Sequence, residues 1–151
     1  MMAETPDFSA ARTAIEEAIA TAPTAETYYW AGMIGYQELT QENYNQMLGK
    51  GVNQAVAGQA VVESYDYWLE ADRLAMIPTL DKKGREVVDT KTRTNISKKM
   101  LEYYKNQELV KYGIYLNEQR DFLGAYNAFK KHIAIPELDM MQNEKLQKEM
   151  P

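Results

Sequence analysis

Helical spacing dominates this chain. Small and large apolar residues recur three and four positions apart along most of its 151 residues, and this spacing places them on one face of a helix. The first such stripe consists of Ala11, Ile15 and Ala18. No segment alternates between apolar and polar residues for long, so the pattern predicts no sheet. We therefore expect an all-α fold.

Helix breakers divide this pattern into segments. A first helix is predicted from about residues 6–9 to Ala22, where Pro23 follows. In residues 79–92 apolar side chains do not recur at a regular spacing, and this segment is predicted to form a polar loop. The other predicted helices cover about residues 25–38, 41–48, 52–74, 94–118 with a kink near Asn106, 122–134 and 138–149.

Two glycines, Gly32 and Gly35, lie inside the predicted helix 25–38. A glycine in a helix interior costs about 0.5–1 kcal/mol relative to alanine. Two in one helix require a compensating reason. We predict that a neighbouring helix approaches closely at these positions.

Residues 106–136 combine a helix that has glycine between large residues with a second helix that ends before proline. The residues of this pattern are Leu109, Tyr112, Gly113, Leu116, Ala125, Phe129 and Pro136. The pattern resembles the tetratricopeptide repeat, a helix pair of ~34 residues. Where that repeat has a further small residue, this chain has His132.

Two other parts of the chain, residues 9–37 and 57–78, resemble portions of the same repeat. Two insertions, at about residues 38–56 and 79–105, separate the three repeat-like parts. The resemblance implies one domain over residues 1–151, a tetratricopeptide-like αα-superhelix that we expect to be a fragment of a longer chain. A plain helical bundle is the alternative, since any amphipathic helix has such stripes.

The arrangement is similar to divergent tetratricopeptide proteins of the kind common in Bacteroidetes. That resemblance implies an extracytoplasmic location, periplasmic or secreted, although no signal peptide is visible in this chain. No apolar run approaches about 18 residues, so no membrane insertion is expected.

Charge is unevenly distributed along the chain. The net charge of −5 disfavours binding to phosphate backbones, so we expect no nucleic-acid partner. Residues 81–105 nevertheless carry 8 basic and 4 acidic side chains. This segment is either a solvated surface or a basic patch that docks an acidic neighbour.

Residues suited to catalysis or metal binding are sparse. The chain has no cysteine and one histidine, His132, which excludes thiolate nucleophiles and the usual zinc-ligand sets. Gly49-Lys50-Gly51 lacks the spacing of a phosphate-binding loop. No pair of carboxylates lies in an apolar setting that would give its two members different pKa values. We therefore expect no enzymatic activity, no cofactor and no metal.

The resemblance implies a protein–protein interaction scaffold that binds a peptide or protein on its concave helical face. Helical spacing then assigns the side chains of that face as Glu26, Tyr29, Met33, Tyr36, Gln37, Gln107, Val110, Ile114, Asn117 and Glu118. Tyr29, Met33 and Tyr36 are the main candidate anchors, because aromatic and methionine side chains adapt well to peptides. The alternative is that the inserted segments cover them.

Two other functions stay open. The chain can be a structural or self-associating module whose groove is filled and whose helix ends stack on further copies. Leu138, Met140 and Met141 are then the candidate sticky end, because terminal repeats need polar caps to stay soluble. A small-molecule-binding helical domain would need a deep pocket between the insertions and the second helix.

Overall fold

The computed structural model describes residues 6–150. The chain is mostly helical (76%), and its helices pack as adjacent pairs, which confirms the all-α prediction at this level. Residues 1–5 and Pro151, the ends of the expected domain, lie outside the described residues.

Seven α-helices occur within the described residues, and the first turns of several of them share one capping device. The helices are α1 (Phe8–Thr21), α2 (Ala25–Met47), α3 (Gln54–Ala75), α4 (Thr90–Lys105), α5 (Glu108–Glu118), α6 (Phe122–Ala134) and α7 (Glu144–Lys148). Helices α1, α3, α4 and α6 begin where an acidic or amide side chain accepts a hydrogen bond from the backbone N–H three residues on. These capping residues are Asp7, Asn53, Asp89 and Asp121.

Helix α2 is longer than the sequence pattern predicts. The structure joins the predicted helices 25–38 and 41–48 into one helix that ends at Met47. No glycine or proline lies at the expected break, and Leu39 is buried there. The chain leaves the helix only near Gly49, whose φ of 77° is readily adopted by glycine.

The prediction of no sheet is wrong at one place. Residues Thr79–Leu80 (β1) and Glu86–Val87 (β2) pair antiparallel inside the predicted polar loop. The Asp81 carboxylate accepts hydrogen bonds from the backbone N–H groups of Lys83 and Arg85. This local turn chemistry closes a hairpin without any apolar alternation.

The prediction of a helix over 94–118 is wrong in its extent. Helix α4 begins at Thr90, where Asp89 provides the cap, and it ends at Lys105. Gln107 then adopts a left-handed conformation with φ 54°, which ends the hydrogen-bonding pattern of α4 before α5 begins. The predicted kink near Asn106 is therefore a complete break between two helices.

The C-terminal segment also differs from its prediction. Instead of one helix over 138–149, the chain forms 3-10 turns at Ile135–Glu137 and Asp139–Met141 and then the short α7. Met140 and Met141 are buried in the core, so these two residues do not form the candidate sticky end. The turn is fixed against α4 by an ion pair of 2.6 Å between the Arg93 Nη2 and Asp139 Oδ2 atoms.

The core lies where α2, α3 and α4 meet. Trp68 of α3 is fully buried, and its ring centroid lies 5.3 Å from that of Tyr103 in α4. The Tyr103 hydroxyl donates a 2.9 Å hydrogen bond to Ser64. A Cβ atom on Gly32 would overlap the Trp68 ring, and one on Gly35 would meet the α3 backbone. The predicted close approach of a neighbouring helix at both glycines is confirmed.

Helix α1 has no buried residue of its own, and one arginine links it to the helical pair beside it. The Arg12 guanidinium forms ion pairs with Glu38 of α2 at 2.7 Å and Glu63 of α3 at 3.0 Å. The hydrogen bond to Glu38 is the main cause that raises the pKa of Arg12. Because one cation faces two carboxylates, this surface retains net negative charge.

Helices α5 and α6 approach each other closely at a glycine. A Cβ atom on Gly113 would overlap the ring of Phe129, so the two helices approach closely there. His132, the departure from the repeat pattern, stacks on Tyr104 of α4 with ring centroids 4.6 Å apart. Burial lowers the pKa of His132, and its Nδ1 atom has no hydrogen-bond partner within the described residues.

Candidate functional site

An apolar groove runs between the start of α1 and the first half of α2. It has a volume of about 260 Å³. Its lining residues, which define the α1–α2 groove, are Pro6, Asp7, Phe8, Ala11, Trp30, Met33, Ile34 and Gln37. Most of the lining surface is apolar, and the two polar side chains with a carboxylate or an amide are Asp7 and Gln37.

Trp30 is the most prominent side chain of this groove. It is 52% exposed, whereas the other tryptophan, Trp68, is fully buried. Its ring packs edge-on against Tyr29, with centroids 5.3 Å apart. A large aromatic surface that is held in place and half open to water is typical of protein-binding hot spots.

The helices that form the groove are acidic. Between Asp7 and Met47 the chain carries one basic and six acidic side chains. The basic residue is Arg12, and it is already paired with two carboxylates. The two helices around the α1–α2 groove therefore carry net negative charge, and Asp7 supplies a carboxylate to its lining.

The structure places the predicted residues of α2 in two environments. Met33 and Gln37 line the α1–α2 groove, and Glu26 is exposed. Tyr29 and Tyr36 are half-buried and pack against the core, and Met33 also contacts the core beside the groove. Their rings are therefore engaged within the chain rather than free over their whole surface.

Tyr36 shows the effect of the inserted segment most directly. Its hydroxyl donates hydrogen bonds of 2.8 and 3.1 Å to the Glu102 carboxylate, and the Lys99 Nζ atom lies 3.9 Å from its ring centroid. Burial, followed by the Glu102 hydrogen bond, raises the pKa of Tyr36 to about 12. Helix α4 of the predicted insertion 79–105 thus covers this part of the expected binding face.

The predicted residues of α5 lie apart from the α1–α2 groove. Gln107 is the left-handed residue before α5, and Val110 is half-buried. Ile114, Asn117 and Glu118 are exposed. Of the ten predicted residues, Met33 and Gln37 line the α1–α2 groove.

The sequence reasoning missed Phe8, Trp30 and Ile34. A signal was present, because Trp30 lies three residues before Met33 and four before Ile34, the spacing of a second apolar stripe. Helix α2 is apolar on the side of Gly32 and Gly35 and also on the side of Trp30. A helix with two apolar faces either packs on both or leaves one for a partner.

A second depression lies between α2, α3 and α5. It has a volume of about 220 Å³. Its lining residues, which define the Glu108 cleft, are Leu39, Asn43, Gln46, Val52, Gln54, Ala57, Gly58, Val61, Glu108, Lys111 and Tyr112. Burial raises the pKa of Glu108, although the nearby Lys111 acts in the opposite direction.

A third exposed feature is the outer surface of α6. Four large apolar side chains project from this helix and define the α6 apolar face. They are Phe122, Leu123, Tyr126 and Ile133, each at least 60% exposed. Several large apolar side chains exposed on one helix mark an interaction site in many soluble proteins.

No cluster of three His, Cys, Asp or Glu side chains within residues 6–150 is arranged to hold a metal ion. Among the described helices, none combines the length and apolar character that a membrane crossing requires.

Comparison with family models, curated proteins and solved structures gives no match for this chain. The tetratricopeptide resemblance therefore stays a prediction.

Proposed function

We propose that this chain is a non-catalytic helical scaffold that binds a protein partner in the α1–α2 groove. The observation that carries the proposal is Trp30, which stands half-exposed beside Met33 and Ile34 in an apolar groove. Burying such an aromatic side chain in an interface contributes more than most contacts. Met33 and Gln37, two residues of the predicted binding face, line this groove.

The partner we propose is a peptide segment that carries an apolar anchor residue flanked by lysine or arginine. The apolar lining of the groove favours the anchor, since its burial removes apolar surface from water. The acidic surroundings, including Asp7 at the groove itself, favour the basic flanks and increase the association rate. An acidic peptide of similar apolar content is expected to bind much more weakly.

We also propose the finer architecture, a tetratricopeptide-like stack of helix pairs. Three glycines support it, because each lies under a large ring of another helix. Gly32 lies under Trp68, Gly58 under Tyr112 and Gly113 under Phe129. Small residues where helices cross and large residues between them are the packing pattern of such stacks.

Replacing Trp30 with alanine is expected to weaken peptide binding about 30-fold, which corresponds to a hot-spot loss of about 2 kcal/mol. Peptides would first be selected from a random displayed library on the wild-type chain. Their affinities would then be measured by fluorescence anisotropy. The matched control is Tyr44→Ala, because Tyr44 is 53% exposed on the same helix outside the groove.

The proposal also requires the selected peptides to combine an apolar residue with basic flanks. Equal losses in Trp30→Ala and Tyr44→Ala would contradict the groove assignment. Selected peptides rich in Asp and Glu would contradict the electrostatic argument.

Self-association is a second candidate function, and the α6 apolar face is the observation that favours it. If a second copy covers this face, the mass of the chain rises with concentration, and Leu123→Lys keeps it monomeric. Analytical ultracentrifugation from about 5 to 500 μM covers the range of weak to moderate dimers. Leu80→Lys is the matched control, because Leu80 is 70% exposed and Leu123 is 72% exposed. A mass that stays monomeric throughout would eliminate this candidate.

A further inference from the structure

The Glu108 cleft contains a carboxylate that, among the described residues, has no cation closer than 3.6 Å and no hydrogen-bond donor of ordinary length. Glu108 is only 7% exposed, although it begins helix α5. Within the described residues its carboxylate accepts no hydrogen bond of ordinary length, and its closest cation is the Lys111 Nζ atom at 3.6 Å from Oε1. Lys111 itself is 66% exposed, so most of its charge remains solvated.

A carboxylate that is mostly buried and has no close cation is uncommon in a folded protein. The Glu108 oxygens are not fully shielded from water, so a ligand can reach them from the cleft. Removing a charge from water costs several kcal/mol unless a partner compensates it. The helix N-terminus provides some compensation. A second carboxylate, that of Glu102, lies near enough to disfavour the ionised form of Glu108. The site is therefore short of positive charge.

The rest of the cleft divides into an apolar floor and a polar rim. Leu39, Ala57 and Val61 are buried and form the floor. The rim has three exposed carboxamide side chains that make no side-chain hydrogen bond within the described residues. They are Asn43, Gln46 and Gln54. Such a combination suits a ligand with an alkyl stem and a hydrogen-bonding cationic head.

We propose that the Glu108 cleft binds a primary ammonium or guanidinium group, with the alkyl stem on the apolar floor and the cation on the Glu108 carboxylate. Carboxamide oxygens on the rim accept the remaining N–H donors. The ligand displaces Lys111 from the carboxylate, and this exposed side chain can move into solvent. The site differs from the α1–α2 groove and stands independently of the function proposed above.

The volume of the cleft limits the size of the group that it can bind. Its volume of about 220 Å³ lies below the range of about 300–1,000 Å³ that small-molecule sites usually occupy. A cofactor or nucleotide is too large for it. The cleft has room for an alkylamine or for the side chain of a lysine or arginine residue from another protein.

The test is a titration of the full 151-residue chain, followed by ¹⁵N–¹H NMR. The probes are n-butylammonium, ethylguanidinium and the neutral isostere 1-butanol. We expect the two cations to shift the amide signals of Gly58, Glu108 and Tyr112, whereas 1-butanol leaves them in place. Equal shifts with 1-butanol, or no shift with either cation, would overturn the proposal.

Substitutions that change charge but little else test whether cation binding depends on the Glu108 carboxylate or only on the shape of the cleft. Glu108→Gln is expected to weaken cation binding at least about tenfold, while Glu118→Gln, an exposed position on the same helix, leaves it unchanged. Lys111→Met removes the competing cation and is expected to strengthen binding several-fold. Unchanged binding in Glu108→Gln overturns the proposal. If that variant does not fold, the absence of tighter binding in Lys111→Met does so instead.

A peptide probe distinguishes the two sources of the cation. The pentapeptide acetyl-Ala-Ala-Lys-Ala-Ala-amide presents the same ammonium group on a chain. Tighter binding than n-butylammonium supports a partner protein's side chain as the ligand. Equal or weaker binding supports a free small amine.

Discussion

Replacing Trp68 with alanine is expected to lower the free energy of unfolding by about 3–5 kcal/mol, the usual loss for a large aromatic removed from a core. Trp68 is fully buried, and its ring contacts Tyr36 and Tyr103, with centroid distances of 6.4 and 5.3 Å. Its Nε1 atom also donates a 3.2 Å hydrogen bond to the carbonyl of Tyr29. Alanine loses these contacts and leaves a cavity where three helices meet.

A loss of this size is large against the total stability of an ordinary domain, about 5–15 kcal/mol. Chemical denaturation followed by circular dichroism measures it directly. The matched control is Trp30→Ala, which removes the same side chain from a half-exposed position and is expected to cost about 1 kcal/mol or less. Similar losses in the two variants would contradict the assignment of Trp68 as the centre of the core.

Replacing Gly35 with alanine is expected to destabilise the chain by about 1–3 kcal/mol, in the range of an overpacked core. The expected sign is opposite to that of helix propensity, which favours alanine over glycine by about 1 kcal/mol. A Cβ atom at this position would lie 2.5 Å from the carbonyl oxygen of Ala60 and 2.7 Å from the Ser64 Oγ atom. The Ala60 contact is with backbone, so the neighbour cannot rotate away and the α2–α3 pair must separate.

The control for Gly35→Ala is Thr40→Ala, at an exposed position on the same helix. The Thr40 hydroxyl donates a 2.9 Å hydrogen bond to the Tyr36 carbonyl of its own helix, a contact that adds little to helix stability. Helix propensity favours alanine at this position, so we expect no loss of stability. Thermal unfolding compares the two, since 1 kcal/mol corresponds to about 2–4 °C in melting temperature for a chain of this size. A melting temperature for Gly35→Ala at or above wild type would mean that the two helices are not in close contact.

Several elements were predictable because their signals are local. Helix α6 runs over Phe122–Ala134, the range that apolar spacing and the following Ile135-Pro136 predict. The short connection at residues 119–121 was also predicted. Gly32 and Gly35 indicated the close helix contact, since an unfavourable residue inside a helix needs a packing reason. Apolar spacing and helix-breaking residues depend on near neighbours in the chain.

The candidate sites were less predictable, because they depend on which apolar face each helix leaves open. Tyr36 was selected as a free anchor, yet Lys99, Glu102 and Tyr103 of α4 surround it. Trp30 was not selected, yet it remains half-exposed in the α1–α2 groove. Both faces of α2 have helical apolar spacing, so the spacing alone does not distinguish them.

The sequence by itself determined the helical class, the positions of α1, α3 and α6 and the glycines at which helices meet, because hydrogen bonding and side-chain periodicity within a helix are short-range. Only the tertiary structure decided that α4 covers Tyr36, that Met140 and Met141 are buried and that Glu108 faces a cleft. Each of these results depends on contacts between residues far apart in the chain. The free energy of such contacts depends on how whole helices pack, and the residue pattern of one helix does not specify which other helix covers each of its faces.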